Sequence, residues 1–226
     1  MTSGDAPRIL VASGPTHEPI DAVRYLANRS SGRMGVAIAD AARAAGAEVT
    51  LALGPVAAVP PAWADAPRFR TAADLLSLLT RLWPGHDALI MAAAVADFTP
   101  ESPSGTGKLD RSQGPLSLRL VPTRDVLAGL AAARRPDQFV VGFALEPREA
   151  LEARAAAKLA RKGVDAIVAN PLETMDAPTV EAALLHADGR VERPPATGAI
   201  AKEAFVGWLM GRLLPLIRAR REGLRA

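Results

Sequence analysis

The feature that most constrains this chain is Ala88-Leu89-Ile90-Met91-Ala92-Ala93-Ala94, seven apolar residues without a break. A strand with one face in water alternates in polarity. A short run that is apolar on both faces belongs in the middle of a parallel sheet, where helices cover both sides. Phe139-Val140-Val141-Gly142-Phe143-Ala144 and Asp165-Ala166-Ile167-Val168-Ala169-Asn170 repeat the pattern. Arg8 to Ala12 and Glu48 to Leu53 are strand signals on either side of a helical pattern, Val36 to Ala45. Strand, helix and strand at that spacing form a βαβ unit, whose strands must pair in parallel.

Between the first strand and its helix lies Asn28-Arg29-Ser30-Ser31-Gly32-Arg33-Met34-Gly35. A helix start leaves backbone N–H groups without partners and carries the positive end of the dipole. Ser30 or Ser31 can cap it, and Gly32 and Gly35 let a phosphate or another backbone approach closely. The loop therefore reads as an anion seat, although a plain capped helix with packing glycines uses the same residues. The dinucleotide fingerprint places its glycines directly after the strand. Here the first turn, Ser13-Gly14-Pro15-Thr16, and the S-S-G-x-x-G element are separated by thirteen residues, His17 to Arg29. Within them Glu18, Asp21, Arg24, Tyr25 and Asn28 are expected near the ligand. The architecture is α/β and Rossmann-like: a mainly parallel open sheet with helices on both faces, a flap, and a C-terminal hairpin and helix. Its cleft is expected where strands end near Gly14, Ala94 and Phe143, the carboxyl edge at which open α/β sheets bind ligands.

Further elements follow from the pattern. A short strand is expected at Arg68-Phe69-Arg70, and a capping box at Thr71 to Asp74 opens a helix through Leu82. Asp97 stands at a strand's carboxyl end. Glu101 to Gly107, rich in Pro, Ser and Gly, reads as a mobile flap leading to Lys108. A strand is expected at Leu116 to Leu120, a helix capped by Thr123 from Arg124 to about Ala133, and another from about Arg148 to Lys162. The last puts Lys158 and Lys162 on one face at i and i+4. Val180 to His186 and Arg190 to Arg193 suggest a hairpin around Asp188-Gly189. A helix from about Thr197 to Arg220 ends the pattern, with Pro215 a kink or an end.

Composition narrows the function. A length of 226 residues with 49% hydrophobic content fits one domain, 1–226. No apolar run is long enough to span a membrane, and Met1 to Pro7 shows no apolar signal region. Cysteine is absent, which excludes disulfides and thiol chemistry and suits a cytoplasmic protein. A net charge of +3 is too small a basic excess to point to nucleic acid. The basic cluster Arg218, Arg220, Arg221 and Arg225 is expected as a solvated helix end. His17, His86 and His186 lack metal-ligand spacing. Of the 27 basic residues only four are lysine, Lys108, Lys158, Lys162 and Lys202. A lysine here marks a place where a compact ammonium suits a phosphate or a reacting carboxylate, unless it is a chance surface residue.

Together these motifs closely resemble the phosphopantothenoylcysteine synthetase family, the ligase of coenzyme A synthesis. The matching pieces are Ser13 to Asp21, Val23-Arg24-Tyr25, Asn28 to Gly35, Ala92 to Phe98, Val141 to Ala144 and Ile167 to Asn170, in the family's order. The resemblance implies CTP as co-substrate, Mg²⁺ as the metal, and 4′-phosphopantothenate and cysteine as the ligated partners. The acid's carboxylate attacks the α-phosphorus of CTP, pyrophosphate leaves, and cysteine's amine displaces CMP from the acyl-cytidylate. Two anions must meet, so cations and N–H donors have to neutralise the developing charge. By motif match Asn28 holds the reacting carboxylate and Lys108 acts beside it. Arg24, Ser30, Ser31, Gly32 and Gly35 lie at the substrate or intermediate. Gly14, Ala92, Ala93, Ala94, Asp97, Phe143, Ala144, Glu146, Lys158 and Lys162 form the nucleotide site. No metal ligand is assigned. The resemblance also implies a homodimer.

Four departures stand against the family pattern. Its K-x-K-K flap is Lys108-Leu109-Asp110-Arg111, and its A-A-E-T segment is Ala144-Leu145-Glu146-Pro147. Its F-x-x-D-x-N, placed without gaps, falls on Met175, Pro178 and Val180. The flavin-dependent decarboxylase domain that precedes many relatives is absent from this sequence, so no flavin is expected, and a separate decarboxylase is a possible partner. Two other functions compete. A nicotinamide-dependent reductase needs an acidic residue ending the second strand, where Leu53-Gly54-Pro55 supplies none. A non-catalytic nucleotide-binding relative would account for the altered flap.

Overall fold

A computed structural model describes residues 6–56, 59–103, 107–175, 177–196 and 198–223. Its strands and helices are, in chain order, β1 (Arg8–Pro15), β2 (His17–Pro19), β3 (Tyr25–Ala27), α1 (Arg33–Ala44), β4 (Glu48–Leu53), α2 (Ala72–Leu82), β5 (Ala88–Ala94), β6 (Phe98–Pro100), β7 (Leu120–Pro122), α3 (Val126–Ala132), β8 (Phe139–Glu146), α4 (Leu151–Lys162), β9 (Ala166–Pro171), β10 (Thr179–Val180), β11 (Ala183–His186), β12 (Val191–Glu192), β13 (Ile200–Ala201) and α5 (Lys202–Glu222). No helix among the described residues is long and apolar enough to cross a membrane.

Seven strands form one sheet in the order β12-β11-β9-β8-β5-β1-β4. The five from β4 to β9 run parallel. β11 and β12 add an antiparallel edge. Alternation along each strand sorts side chains into two cores. Ile9, Val11, Ile90 and Val141 face α1 and α5, whereas Leu10, Leu89, Met91 and Val140 face α2, α3 and α4. After β1 the chain moves outward to β4, then returns past β1 to β5. The order therefore reverses between β1 and β5, and the carboxyl ends of these two strands diverge into a crevice.

Several sequence expectations are corrected. α1 begins at Arg33, and its N-cap is Gly32, in the left-handed region at φ 73°, not Ser30 or Ser31. The serine hydroxyls turn locally instead, toward Gly32 N at 3.3 Å and Arg33 N at 3.5 Å. The expected strand at Leu116 to Leu120 shifts to β7. Its alternating leucines mimic a half-buried strand, but Leu116 and Leu118 are exposed. α3 is capped by Asp125, which accepts from Ala128 N at 3.0 Å, because Thr123 donates across the loop to Ala96 O at 2.6 Å. Residues 148–150 form a 3-10 turn, so α4 starts at Leu151. The segment 68–70 reduces to a single bridge, Leu53 to Arg68. Val180 leaves the β11–β12 hairpin to pair with Ile200. α5 runs through Pro215, whose ring meets the carbonyl four residues back, at Gly211. Thr197, the expected helix start, and Ser104 to Thr106 of the flap lie outside the described residues.

The terminal arginines are the largest correction. Arg221 is buried, donates to Ala6 O at 3.0 Å and lies 3.6 Å from Asp87. Arg220 reaches Asp165 at 2.9 Å and covers the Phe139 ring. They fasten α5 to the amino edge of the sheet. Both carboxylates are held from the backbone too, by Arg8 N on Asp87 and Val140 N on Asp165, each at 2.7 Å.

Candidate active site

The opposite, carboxyl edge opens into a cleft of about 960 Å³. Its floor is the ends of β5 and β8. One wall is the 27–35 loop, the other 122–127 with Lys158 and Lys162. The loop is fixed by Ser13, whose buried hydroxyl donates to Gly32 O at 2.8 Å. Gly35 packs so closely that a Cβ there would overlap the Ser13 side chain. Asn28 is tied to the floor, its Nδ2 donating to Val95 O at 2.8 Å.

Of the residues singled out from sequence, Asn28, Ser30, Ser31, Gly32, Gly35, Ala92 to Ala94, Asp97, Phe143, Ala144, Glu146, Lys158 and Lys162 line this cleft. Gly14, Arg24 and Lys108 do not. Gly14 lies under the loop at φ 91° against Val56. Lys108 is exposed, and its neighbour Leu109 is anchored by its N–H to Asp21 Oδ2 at 3.1 Å.

Arg24 makes a short ion pair with Asp21 and reaches Leu109 O at 3.3 Å. The polar residues between β1 and the loop mostly hold structure. Buried Glu18 accepts from Ala72 N at 2.8 Å and so serves the start of α2. Thr16 Oγ1 accepts from Ala96 N at 3.0 Å. Asp21 accepts from the N–H groups of Val23, Arg24 and Leu109. Burial opposes its ionisation, but these bonds and the Arg24 charge hold its carboxyl down at about 2.

The two walls differ in charge. The acids of the cleft, Asp97, Asp125 and Glu146, lie toward α3 and α4. Lys162 meets Asp125 at 2.7 Å, and Arg154 meets Glu146 at 3.5 Å. Burial favours the neutral Asp125, yet Lys162 and the Ala128 N–H keep its carboxyl below the usual range. Burial, then the neighbouring Lys162 charge, lowers the Lys158 ammonium below its ordinary value, against the pull of Glu146 and Asp97. A bound anion would offset both causes and raise the Lys158 pKa again.

Sequence reasoning missed part of the cleft. Arg124 to Leu127 line it where α3 begins, as do Asn170, Thr174, Met175, Val180 and Lys202. The chain segments carrying the last five are brought to the cleft by β9 and the β10–β13 pair. No local motif announces them. The signal available was the scarcity of lysine, of which Lys202 is one.

No group of three or more histidine, aspartate and glutamate side chains converges as a metal cage among the described residues. Magnesium carried by a nucleotide needs less. It keeps several waters and takes one or two carboxylates besides the phosphates. Asp97, exposed at the cleft and without an ion pair among the described residues, fits that part.

Residues 5–206 match the family "DNA/pantothenate metabolism flavoprotein C-terminal domain". The coenzyme A biosynthesis bifunctional protein CoaBC of Mycobacterium bovis is 42% identical over 173 residues, 72% of this chain and 41% of its own. A cysteine/cysteine sulfinic acid decarboxylase of an unknown prokaryotic organism is 45% identical over 167 residues, 74% of this chain and 46% of its own. The chain thus spans under half the length of these relatives. Among solved structures, the C-terminal domain of a CoaBC protein superposes with TM-score 0.78 at 31% identity, covering 94% of this chain and 98% of its own. A Cab2 mutant in complex with phosphopantothenate-cysteine shares the fold, with TM-score 0.81 at 17% identity over 99% of this chain and 90% of its own.

Proposed function

We propose, from the premise that this chain belongs to the phosphopantothenoylcysteine synthetase family, that it joins 4′-phosphopantothenate to cysteine at the expense of CTP. The observation that carries the reading is one continuous cleft. It holds a neutral amide, Asn28, between an anion seat on one wall and a lysine pair on the other. A neutral amide does not repel the carboxylate it positions, and the flanking N–H groups and ammoniums take up charge as the carboxylate attacks the α-phosphorus. Pyrophosphate leaves with the electron pair of the broken P–O bond. Cysteine's amine then attacks the acyl carbon, CMP leaves, and the amine proton passes to solvent. Lys158 and Lys162 contact nucleotide phosphates. Lys108 reaches in with its side chain from a pinned stem. Asp97 would hold Mg²⁺, which would neutralise phosphate charge.

A homodimer in the cytoplasm completes the reading, with a separate flavin-dependent decarboxylase acting on the product. Val23, Tyr25, Phe98, Leu118 and Leu120 are large apolar side chains left exposed around β3, β6 and β7, a face suited to a second copy. The relative named as a decarboxylase leaves the reading unchanged, since this chain spans only 46% of it.

The test is to incubate the protein with phosphopantothenate, Mg²⁺ and CTP or ATP, and to measure pyrophosphate with and without cysteine. CTP should release pyrophosphate and give the cysteine adduct. No pyrophosphate with either nucleotide would leave a non-catalytic nucleotide-binding relative. The Asn28→Asp variant should fold normally and lose product formation severely, because a second negative charge then faces the carboxylate. Near wild-type ligation at equal thermal stability would reduce Asn28 to a loop-ordering residue.

A further inference from the structure

The anion seat is built on the two residues least able to hold their own shape. Gly32, which opens α1, stands in the left-handed region at φ 73° and has no side-chain cap. Gly14, near the end of β1, has φ 91°. Glycine takes such angles without steric cost but loses the most conformational freedom when ordered. Contacts from outside the loop therefore have to hold it. Ser13 holds the Gly32 carbonyl, and Val56 does the rest. A Cβ on Gly14 would lie 2.9 Å from Val56 Cγ1, and a Cβ on Gly32 would lie 3.0 Å from the same methyl group. One methyl thus packs against both left-handed glycines. Val56 is half-buried and is not among the residues that line the cleft.

The chain on both sides keeps Val56 in place. Gly54, just past β4, donates its N–H to Ser13 O at 2.9 Å. It lies so near Pro15 that a Cβ would come within 2.4 Å of the Pro15 carbonyl oxygen, so only glycine lets the crossing come this close. Beyond Val56, Trp63 donates from Nε1 to Asp40 Oδ1 at 2.8 Å and takes the Arg43 guanidinium over its ring at 4.9 Å. Asp40 and Arg43 stand on the exposed face of α1. Trp63, Ala64 and Ala66 pack on the core that α1 shares with α5. The chain returns at Pro67, whose carbonyl accepts from Leu53 N at 2.9 Å. Residues 54–56 and 59–67 thus belong to a strap tied at both ends and to the helix whose start it supports.

In a nicotinamide enzyme the second strand of this unit ends in an acid that holds a ribose. Here the same end carries an apolar branch packed on the loop. We propose that Val56 is the positioning residue of the anion seat. It fixes the backbone at Gly14 and Gly32, and with it the direction of the N–H groups that open α1. Val56 acts through the loop, not on the ligand. The ligand it serves rests on the ligation reading, in which the seat faces the acid substrate and the lysine wall faces the nucleotide phosphates.

Calorimetry of the whole chain, with phosphopantothenate and CTP as separate titrants, tests this role. Val56→Ala should weaken phosphopantothenate about 10-fold, below the roughly 10²-fold in rate that a misplacement of about 1 Å can cost, and leave CTP as in the wild type. Val56→Thr keeps both branches and should bind like the wild type. Trp63→Phe loses the Asp40 bond and should weaken phosphopantothenate in the same sense, by a few-fold. A second measurement needs no ligand. The Val36 N–H donates to Gly32 O at 3.2 Å, so its hydrogen exchange should quicken in Val56→Ala and not in Val56→Thr. The proposal is overturned if Val56→Ala binds phosphopantothenate as the wild type does, if both titrants weaken alike, if Val56→Thr is as weak as Val56→Ala, or if Val36 exchange is unchanged. A wild type that does not bind phosphopantothenate, with faster Val36 exchange in Val56→Ala, would overturn the ligation reading and leave the brace standing.

Discussion

The two edges of the central sheet follow opposite rules. At the amino edge every strong polar group is matched. Asp87 and Asp165 are buried, take backbone N–H groups, and are closed over by Arg8, Arg134, Arg220 and Arg221. At the carboxyl edge the chain leaves groups unmatched. Among the described residues Asn170 Oδ1 has no hydrogen-bond partner, Lys202 has no counter-charge, and α1 and α5 begin without a side-chain cap. Both edges are made of the same strands, so strand chemistry does not explain the contrast. It reflects what each edge awaits: the first is complete without a ligand, and the second is completed by one.

Substitutions at the two edges should therefore separate stability from activity. The largest effect is expected from Asp165→Ala, which strands two arginines and the Val140 N–H. The arginines are partly exposed, so the cost is that of lost hydrogen bonds to a charged group and a stranded N–H, about 1.5–3 kcal/mol, and urea unfolding should show it with little change in ligand affinity of the folded fraction. A loss under about 1 kcal/mol would mean that the amino edge is not the anchor described here, since surface pairs are worth that much. At the other edge, Lys108→Ala should lower the rate of intermediate formation by roughly 10²-fold, the scale of one lost preorganised donor, with an unchanged melting temperature. Unchanged turnover would remove Lys108 from the reaction.

Titration gives two smaller effects. Lys158 has a lowered pKa, so it is charged below that value and neutral above it. Nucleotide affinity should fall as pH rises through a point below the ordinary 10.5, and Lys158→Arg should move that fall to higher pH. The same pH dependence in wild type and Lys158→Arg would show that Lys158 carries no phosphate. Asp21 is lowered from 3.8 to about 2. Its contribution is present above 3.8 and is lost as pH falls toward 2. Hydrogen exchange at Val23, Arg24 and Leu109 should rise over that window in the wild type and be raised already at neutral pH in Asp21→Asn. Equal protection in both proteins would break the link between Asp21 and the flap.

How much of this was legible follows from the range of each interaction. The strands β1, β5, β8 and β9 read directly as apolar runs, because burial on both faces leaves its mark on most of their residues. The Thr71 capping box is equally local, and Asp74 closes it. Thr123 illustrates what was not legible. Its hydroxyl is as good a helix cap as the Asp125 carboxylate, and only the arrival of Ala96 decides which one caps α3. Arg221 lies 215 residues from its acceptor on Ala6, and Lys202 reaches the cleft only through the β10–β13 pairing. The loop from Asn28 to Gly35 was read as a capped anion seat. The seat lines the cleft, but the cap is backbone geometry at Gly32, where a side-chain rule does not apply.

The anchoring of Leu109 to Asp21 has a kinetic consequence. A flap free along its whole length would have to find its closed shape in every cycle, and that search would slow the turnover. Here the stem is pinned one residue after Lys108, and Gly107 O accepts from Ala22 N at 3.2 Å one residue before it. Lys108 is thus held like an oar in its lock. Its side chain sweeps only its own arc, a motion of picoseconds to nanoseconds, so a part for Lys108 in the proposed reaction would not wait on closure of the loop.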